Sequence, residues 1–533
     1  MGSFQALLCA TLLFTAIPVQ KLMAQSQQGP SDAPTLRVTS SLVFLDVTVL
    51  DKRGRPVVTG LTKDDFTITE DKKPQRIFSF EAPEAHTMAN AGDANPQGKA
   101  PVTIFVLDLL NSDFEDFAFI RYSVQKYLAA QPRQLKAPAE MMVIGNESLE
   151  LIQGYTQNKE DLLFALDHLP AVLPYKMMNG SFFAERFGQS IDALQQIALQ
   201  NKGVPGRKNV VWVGHGGPSL NTAPFPAPVA DQINRYVHET TNMLVDARIS
   251  LFVIYPGLKV QGSNMSISAM DADADIGNDD PFAGDVNFGV FVNETGGNLF
   301  YNRNDVDMEI KHSLQLGSEY YTLTYQPHDG EANGKFRRIR VILRDPNLRG
   351  VTKAGYFAPD KSAPVDPRQR TINNIAEAAR STVPFAALDM KVSSVVRHPD
   401  SRTAELTVLL KSKNLDWQPT DNGKSTAKLL LAAVSLTADG DILASKVERL
   451  TWTIGTQDPA RLGEDETRLT LTIRIPRKTR RVRVAMETEE GGRIGAADLD
   501  RKTIDSAPST PTPEPQLAPR QINQEPPTAP STP

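Results

Sequence analysis

Cysteine is almost missing from this chain. Its 533 residues hold one, Cys9, inside the apolar run Ala6–Ile17. That run is too short to span a bilayer comfortably. It leads into small and polar residues around Met23-Ala24-Gln25, as a secretory signal over 1–25 does, although no Lys or Arg precedes it. The competing reading is a buried N-terminal helix. Cleavage of a signal would leave no cysteine, which excludes disulfides, zinc–thiolate sites and cysteine nucleophiles together. A basic excess is missing too: 57 Lys and Arg stand against 62 Asp and Glu, a formal charge of −5. That excludes a protein that coats nucleic acid through general positive charge. No later run is long and apolar enough for a transmembrane helix, so the mature chain is expected to be secreted or periplasmic and not membrane-spanning. The signatures Gly-x-Ser-x-Gly, His-Glu-x-x-His and Gly-x-x-x-x-Gly-Lys-Ser/Thr are absent, and no enzyme is expected. A spatial Ser–His–Asp triad among the seven His stays open.

What is present can fold. Hydrophobic residues make up 40% and charged residues 22%, enough for packed cores, and the length predicts two to four domains. Residues 26–36 read as a polar spacer. Over 36–82 the apolar residues recur with period two (Val43, Leu45, Val47, Val49), which predicts a small Ig-like β module. Residues 83–100 read as a linker. Over 100–345 short apolar runs (102–107, 141–144, 210–213, 249–254) alternate with helical stripes such as Phe187, Ile191, Leu194 and Ala198. That alternation predicts an α/β domain with a doubly wound parallel sheet. Residues 257–290, rich in Gly, Ser, Asn and Asp, read as a long loop. Residues 385–500 are β-patterned again and predict a β-sandwich. Residues 506–533, dominated by Pro, Thr, Ser, Gln and Ala, predict a disordered tail.

The strongest candidate site is Asp108-Leu109-Leu110-Asn111-Ser112. In an open α/β sheet ligands bind at the carboxyl ends of strands, and these side chains offer hard oxygens to Mg²⁺. Asp108 and Ser112 would serve equally as caps of the next helix. A second candidate, Asp271-Ala-Asp-Ala-Asp275 with Asp279 and Asp280, alternates carboxylates as calcium loops do. Ile276 and Phe282 occupy the places where an EF-hand needs Gly and Glu, so it reads as an acidic loop. A third, Arg474, Arg477, Lys478, Arg480, Arg481 and Arg483, alternates with Val482 and Val484 and reads as the solvated face of a strand.

Several segments together resemble one family. These are the strand ending Asp108-x-x-x-Ser112, then Gly154-Tyr-Thr-Gln-Asn158, then Gly206-Arg-Lys-Asn-Val-Val-Trp-Val-Gly-His-Gly-Gly217. Upstream stands Val47-Thr-Val-Leu-Asp-Lys-Arg-Gly-Arg-Pro-Val57. Thr295-Gly-Gly-Asn-Leu-Phe300, Tyr320-Tyr-Thr-Leu-Thr-Tyr325 and Gly355-Tyr-Phe-Ala-Pro359 follow. Over about 38–359 the chain resembles secreted bacterial VWFA-related proteins, which carry a von Willebrand factor type A (VWA) domain. The resemblance implies a VWA-like, Rossmann-like fold with a metal-ion-dependent adhesion site that takes an acidic group of a protein partner. Carried over, Asp108, Ser112 and Thr156 are the implied metal residues, with Asn111 and His215 as further donors to Mg²⁺ or another divalent cation. The site is degenerate: Leu110 stands where the first Ser would be, and His215 about where the last Asp would be.

The expected function is protein binding or adhesion at the cell envelope. The expected contact rim is Asp108–Ser112, Thr156 and Gly214–Gly217, bordered by Phe114 and the 257–290 loop. An extracytoplasmic hydrolase using His215 and a structural envelope scaffold without metal are the alternatives.

Overall fold

The computed structural model describes residues 42–86, 100–146, 148–169, 180–256, 280–283, 285–328, 331–360, 366–420, 423–454 and 466–510. The expected signal (1–25), the spacer, most of the 83–100 linker, most of the acidic loop including Asp271–Asp279, and tail residues 511–533 lie outside them.

The first strands are β1 (Val43–Leu50), β2 (Phe66–Glu70), β3 (Lys73–Gln75) and β4 (Ile77–Glu81). The next stretch is an alternation of strand and helix: β5 (Val102–Asp108), α1 (Phe114–Ala129), β6 (Gln134–Ile144), β7 (Leu149–Asn158), α2 (Lys159–Asp167), α3 (Gly180–Gln200), β8 (Lys208–Val213), β9 (Leu220–Asn221), α4 (Ala227–Asp246), β10 (Ile249–Pro256), β11 (Asp285–Val286), α5 (Phe288–Glu294), β12 (Asn298–Arg303) and α6 (Val306–Ser318). The strand order in its main sheet is β12-β10-β8-β5-β6-β7. The pairs from β12 through β6 are parallel, and β7 closes the edge antiparallel to β6. β5, β8 and β10 are buried along their whole length, which is why they carry continuous Val and Ile. Alternate residues face two cores. Ile104, Val106, Val210 and Trp212 pack with α3, α4 and α5 on one side. Phe105, Leu107, Val211 and Val213 pack with α1, α2 and α6 on the other.

The strands that follow, β13 (Tyr321–Tyr325), β14 (Phe336–Leu343), β15 (Arg349–Val351) and β16 (Gly355–Phe357), do not extend this sheet. β13 lies between β1 and β4, with Leu323 opposite Leu45, and β14 pairs with β2, with Val341 opposite Ile68. The expected division into a 36–82 module and a 100–345 domain is therefore corrected. Residues 43–81 and 321–357 build one two-sheet β unit with a shared core of Leu45, Val47, Ile68, Tyr321, Leu323 and Ile339. The α/β stretch is inserted into it. Partner strands more than 200 residues apart leave no local signal, because period two says which face is buried and not which strand lies alongside.

The β unit docks at the amino-terminal ends of the parallel strands. Arg207, just before β8, donates to Thr48 Oγ1 at 2.8 Å and Ser250 Oγ at 2.9 Å. Arg248, just before β10, forks onto both carboxylate oxygens of Asp46 in β1. Burial alone would raise the Asp46 pKa, but Arg248 and Arg207 outweigh it and hold the carboxyl below its ordinary value.

Helix α7 (Pro367–Arg380) follows, with Pro367 at its first position and the Asp366 carboxylate capping it. Beyond it come β17 (Met390–His398), β18 (Thr403–Lys411), β19 (Gln418–Pro419), β20 (Ser425–Leu436), β21 (Ile442–Ile454), β22 (Glu466–Arg474), β23 (Arg481–Thr488), β24 (Ile494–Asp500) and α8 (Arg501–Ser506). Among the described residues they form a β17-β18-β22 sheet and a sheet centred on β20 and β23. Leu406, Val408, Leu429, Leu431, Val482 and Val484 share one core between them. The whole is a mixed α/β, multi-sheet molecule. In the basic run Arg474, Arg477, Lys478 and Arg480 are exposed, as expected of a solvated face, and Arg483 is the exception: it is fully buried, donates to Val383 O at 2.7 Å and lies 6.0 Å over the Phe385 ring. Burial brings its pKa down to about 10.

Candidate functional site

Asp108 ends β5 with 0% exposure. Its chain neighbours turn there, and the carboxylate is filled by the protein itself. Oδ1 accepts from Asn111 N at 2.9 Å, and Oδ2 accepts from Trp212 Nε1 at 3.0 Å and Gly216 N at 2.8 Å. Asn111 Nδ2 reaches both oxygens at 3.2 Å and also donates to Ser190 Oγ at 3.1 Å. Burial raises the Asp108 pKa against the opposing pull of these donors and of His215. The close approach needs glycine: at Gly214 (φ +142°) a Cβ would lie 2.3 Å from Asp108 Cβ and 3.2 Å from Ser112 Oγ.

Around this centre stand Ser112, Asp116 and His215. Asp113 caps α1 by accepting from Asp116 N at 2.8 Å. One turn in, Asp116 presents Oδ2 to His215 Nε2 at 2.9 Å. The His215 ring meets Tyr255 edge-on at 4.1 Å. Asn111 Oδ1, Ser112 Oγ and Asp116 Oδ1 are buried and have no hydrogen-bond partner among the described residues. Arg186 on α3 is near enough for the Asp108 charge to counter part of the burial penalty on its guanidinium. Phe114, the first residue of α1, is 68% exposed beside this set.

Of the five expected residues, Asp108, Asn111, Ser112 and His215 come together. Thr156 does not. It pairs with Ala139, which is level with Thr103, whereas Asp108 is level with Ile144. Five residues of strand separate those levels, roughly 16 Å. Thr156 instead braces the start of α2, donating to Asp161 Oδ2 at 2.7 Å and accepting from Asn158 N at 3.0 Å. The β6–β7 pair is an antiparallel hairpin, so β7 runs away from the rim where a parallel strand would run toward it. Thr156→Val should cost about 1 kcal/mol in urea unfolding while leaving contacts at the rim intact. A loss of rim binding without that destabilisation would contradict this placement.

Of the oxygens implied to hold a divalent cation, Asn111 Oδ1 and Ser112 Oγ stand unpartnered near Asp108, with Asp116 Oδ1 beside them, but the rest of the implied set is not in place. Both Asp108 oxygens already accept N–H donors, the implied threonine is at the other end of the sheet, and buried Leu110 supplies no ligand. No group of three or more His, Cys, Asp or Glu able to hold a metal occurs among the described residues. Asp280, the described member of the acidic run, is paired with His238 at 2.6 Å.

Sequence reasoning missed Asp116, Ser190, Arg186 and Trp212 as members of the site. Each sits inside a run legible only as helix stripe or buried strand. A Trp in an otherwise aliphatic strand, whose indole N–H needs a buried partner, was the one available signal.

A mixed α/β sheet with a closed polar rim at its carboxyl edge is thus the class of architecture on view. No protein-family model matches the chain, and no curated protein matches it. Among solved structures it is similar to the SpRpn10 VWA domain, with 17% identity over 30% of this chain and 77% of that one and a TM-score of 0.20. It is also similar to the PilB minor pilin from Streptococcus sanguinis, with 11% identity over 42% of this chain and 63% of that one and a TM-score of 0.26. Overlaps of this size carry no argument about what the chain does. Among the described residues, no helix is long and apolar enough to cross a membrane.

Proposed function

We propose that this chain is a secreted or periplasmic binding protein. Its centre is a doubly wound VWA-like domain flanked by an Ig-like β unit and a β-sandwich, and it docks an extracytoplasmic protein partner at the Asp108–Ser112, Asp116 and His215 rim. The supporting observation is Phe114, a large aromatic two-thirds exposed at the lip of a rim whose polar groups are held rigid by one another. An aromatic anchor beside a fixed polar rim is the usual energetic centre of a protein interface. In this reading the adhesion site is degenerate and docking needs no divalent cation, because Asp108 is already filled by indole and amide donors. The test is photo-crosslinking from position 114, with exposed position 447 on β21 as control. A partner captured from 114 should persist in chelator and bind Phe114→Ala about tenfold or more weakly, the effect of losing an interface anchor. Capture that vanishes with chelator, or that is equal from both positions, overturns the reading.

A second reading, an extracytoplasmic hydrolase, rests on the Asp116–His215 pair, a carboxylate-held imidazole of the kind that serves as general base. Turnover in an ester and peptide screen that is lost in His215→Ala would favour it. No turnover by the wild type removes it.

A further inference from the structure

We propose that the cavity between the α/β stretch and the C-terminal β region binds a free aliphatic α-amino acid. The cavity holds about 200 Å³, below the usual span of pockets for drug-sized ligands, and it lies at a junction of units, where small-molecule sites concentrate. Its apolar lining comes from Leu151, Val204, Pro384 and Ala387, and exposed Pro205 and Ala386 leave it reachable from solvent.

Three buried side chains line it with an unused polar atom. Glu140 on β6 is 1% exposed, and its Oε1 has no partner among the described residues. Gln200, the last residue of α3, is 6% exposed with Oε1 unpartnered. Asn414, after β18, is 5% exposed with Nδ2 unpartnered. Each such atom costs on the order of 1–3 kcal/mol unless something occupies it. Glu140 and Gln200 are neighbours, since Gln200 Nε2 donates to Glu140 Oε2 at 3.3 Å.

The free atoms are segregated by origin. The unpartnered acceptors, Glu140 Oε1 and Gln200 Oε1, come from the α/β stretch, where the Tyr155 hydroxyl also hydrogen-bonds the Glu140 carboxyl. The donor Asn414 comes from the β region, joined there by the guanidinium of Arg493, which stands 3.5 Å from Asp416. A polyol presents donors and acceptors mixed along its length and cannot satisfy such a split. An inorganic cation would face the donors with one carboxylate for company. A zwitterion matches: its ammonium meets Glu140 and Gln200, its carboxylate meets Asn414 and Arg493, and an aliphatic side chain fills the Leu, Val and Pro wall. Glu140 also carries a handle for measurement. Burial pushes its pKa up to about 8, so it holds a proton at neutral pH when nothing cationic is beside it. Arrival of an ammonium favours the carboxylate, and the proton leaves to solvent.

The experiment is isothermal titration of the full chain with L-leucine and L-valine at pH 7, in two buffers of different ionisation enthalpy. Binding at millimolar concentrations or below, with release of a substantial fraction of a proton, is expected. Isoamylamine, which lacks the carboxylate, should bind at least tenfold more weakly. Glu140→Gln should weaken L-leucine at least tenfold and abolish proton release. Asn414→Ala on the opposite wall should weaken it without abolishing release, so the assignment survives even where one variant misfolds. No heat with either amino acid, binding of D-glucose in their place, or wild-type binding without proton release overturns the proposal.

Discussion

Trp212→Ala is expected to lower stability by about 3–5 kcal/mol and to dismantle the rim, whereas Trp212→Phe should cost about 1–3 kcal/mol. The indole is fully buried in β8 and packs 4.9 Å from the Phe288 ring, so alanine removes the largest side chain of that face and leaves a void. Phenylalanine keeps most of the packing and deletes one atom that matters, the N–H that reaches Asp108 Oδ2 at 3.0 Å. Asp108 would then sit buried with one donor fewer, and its pKa, already raised, would climb further. Urea unfolding of the two variants at pH 7, with crosslinking from position 114, separates packing from polar support. Equal losses in both would mean that packing contributes little. A Phe variant indistinguishable from wild type would mean that the indole does not hold the rim aspartate.

The second large effect is a fall in stability from pH 5 to pH 7. Burial pushes both Glu140 and Glu294 up to about 8, from an ordinary value near 4.5. Each is protonated in the folded state over a range where the unfolded chain has already released the proton. Folding is therefore favoured below about 4.5, and that advantage drains as pH rises toward 8. Two such groups give a slope of up to about 3 kcal/mol per pH unit near the middle of the window. Lys208 works in the opposite sense above it. Its buried ammonium is brought down to about 7, so folding gains as pH climbs from there toward the unfolded value of 10.5. The carboxyl signal is thus cleanest between pH 5 and 7. The double variant Glu140→Gln, Glu294→Gln should show a much flatter urea-midpoint profile there and be more stable than wild type at pH 8. A profile as steep as the wild type's would show that these two carboxyls are not the groups that titrate.

Much of the local structure was legible before any coordinates. The run 102–107 announced a buried strand because a strand covered on both faces needs apolar residues at every position, and β5 is buried throughout. The Asp108–Ser112 corner and the glycines of 214–217 were legible for a related reason, since polar and glycine residues stop a buried strand at a lip. The error at Thr156 has its own physical source. A motif places a residue by its order in the chain, and an antiparallel edge strand reverses which end of the sheet that order reaches.

By itself the sequence determined which segments are strands and helices, which faces are buried and where the central strand stops, because the side-chain periods of two and 3.6 are local properties of the backbone. Tertiary structure alone decided the rest. It returned β13–β16 to the first strands, covered the amino ends of the sheet with Arg248 and Asp46, filled the Asp108 carboxylate with an indole and an amide, and brought Glu140 and Asn414 to one cavity. Each of these joins atoms from distant positions in the chain. Their contact energies depend on separation in space, which no local pattern records.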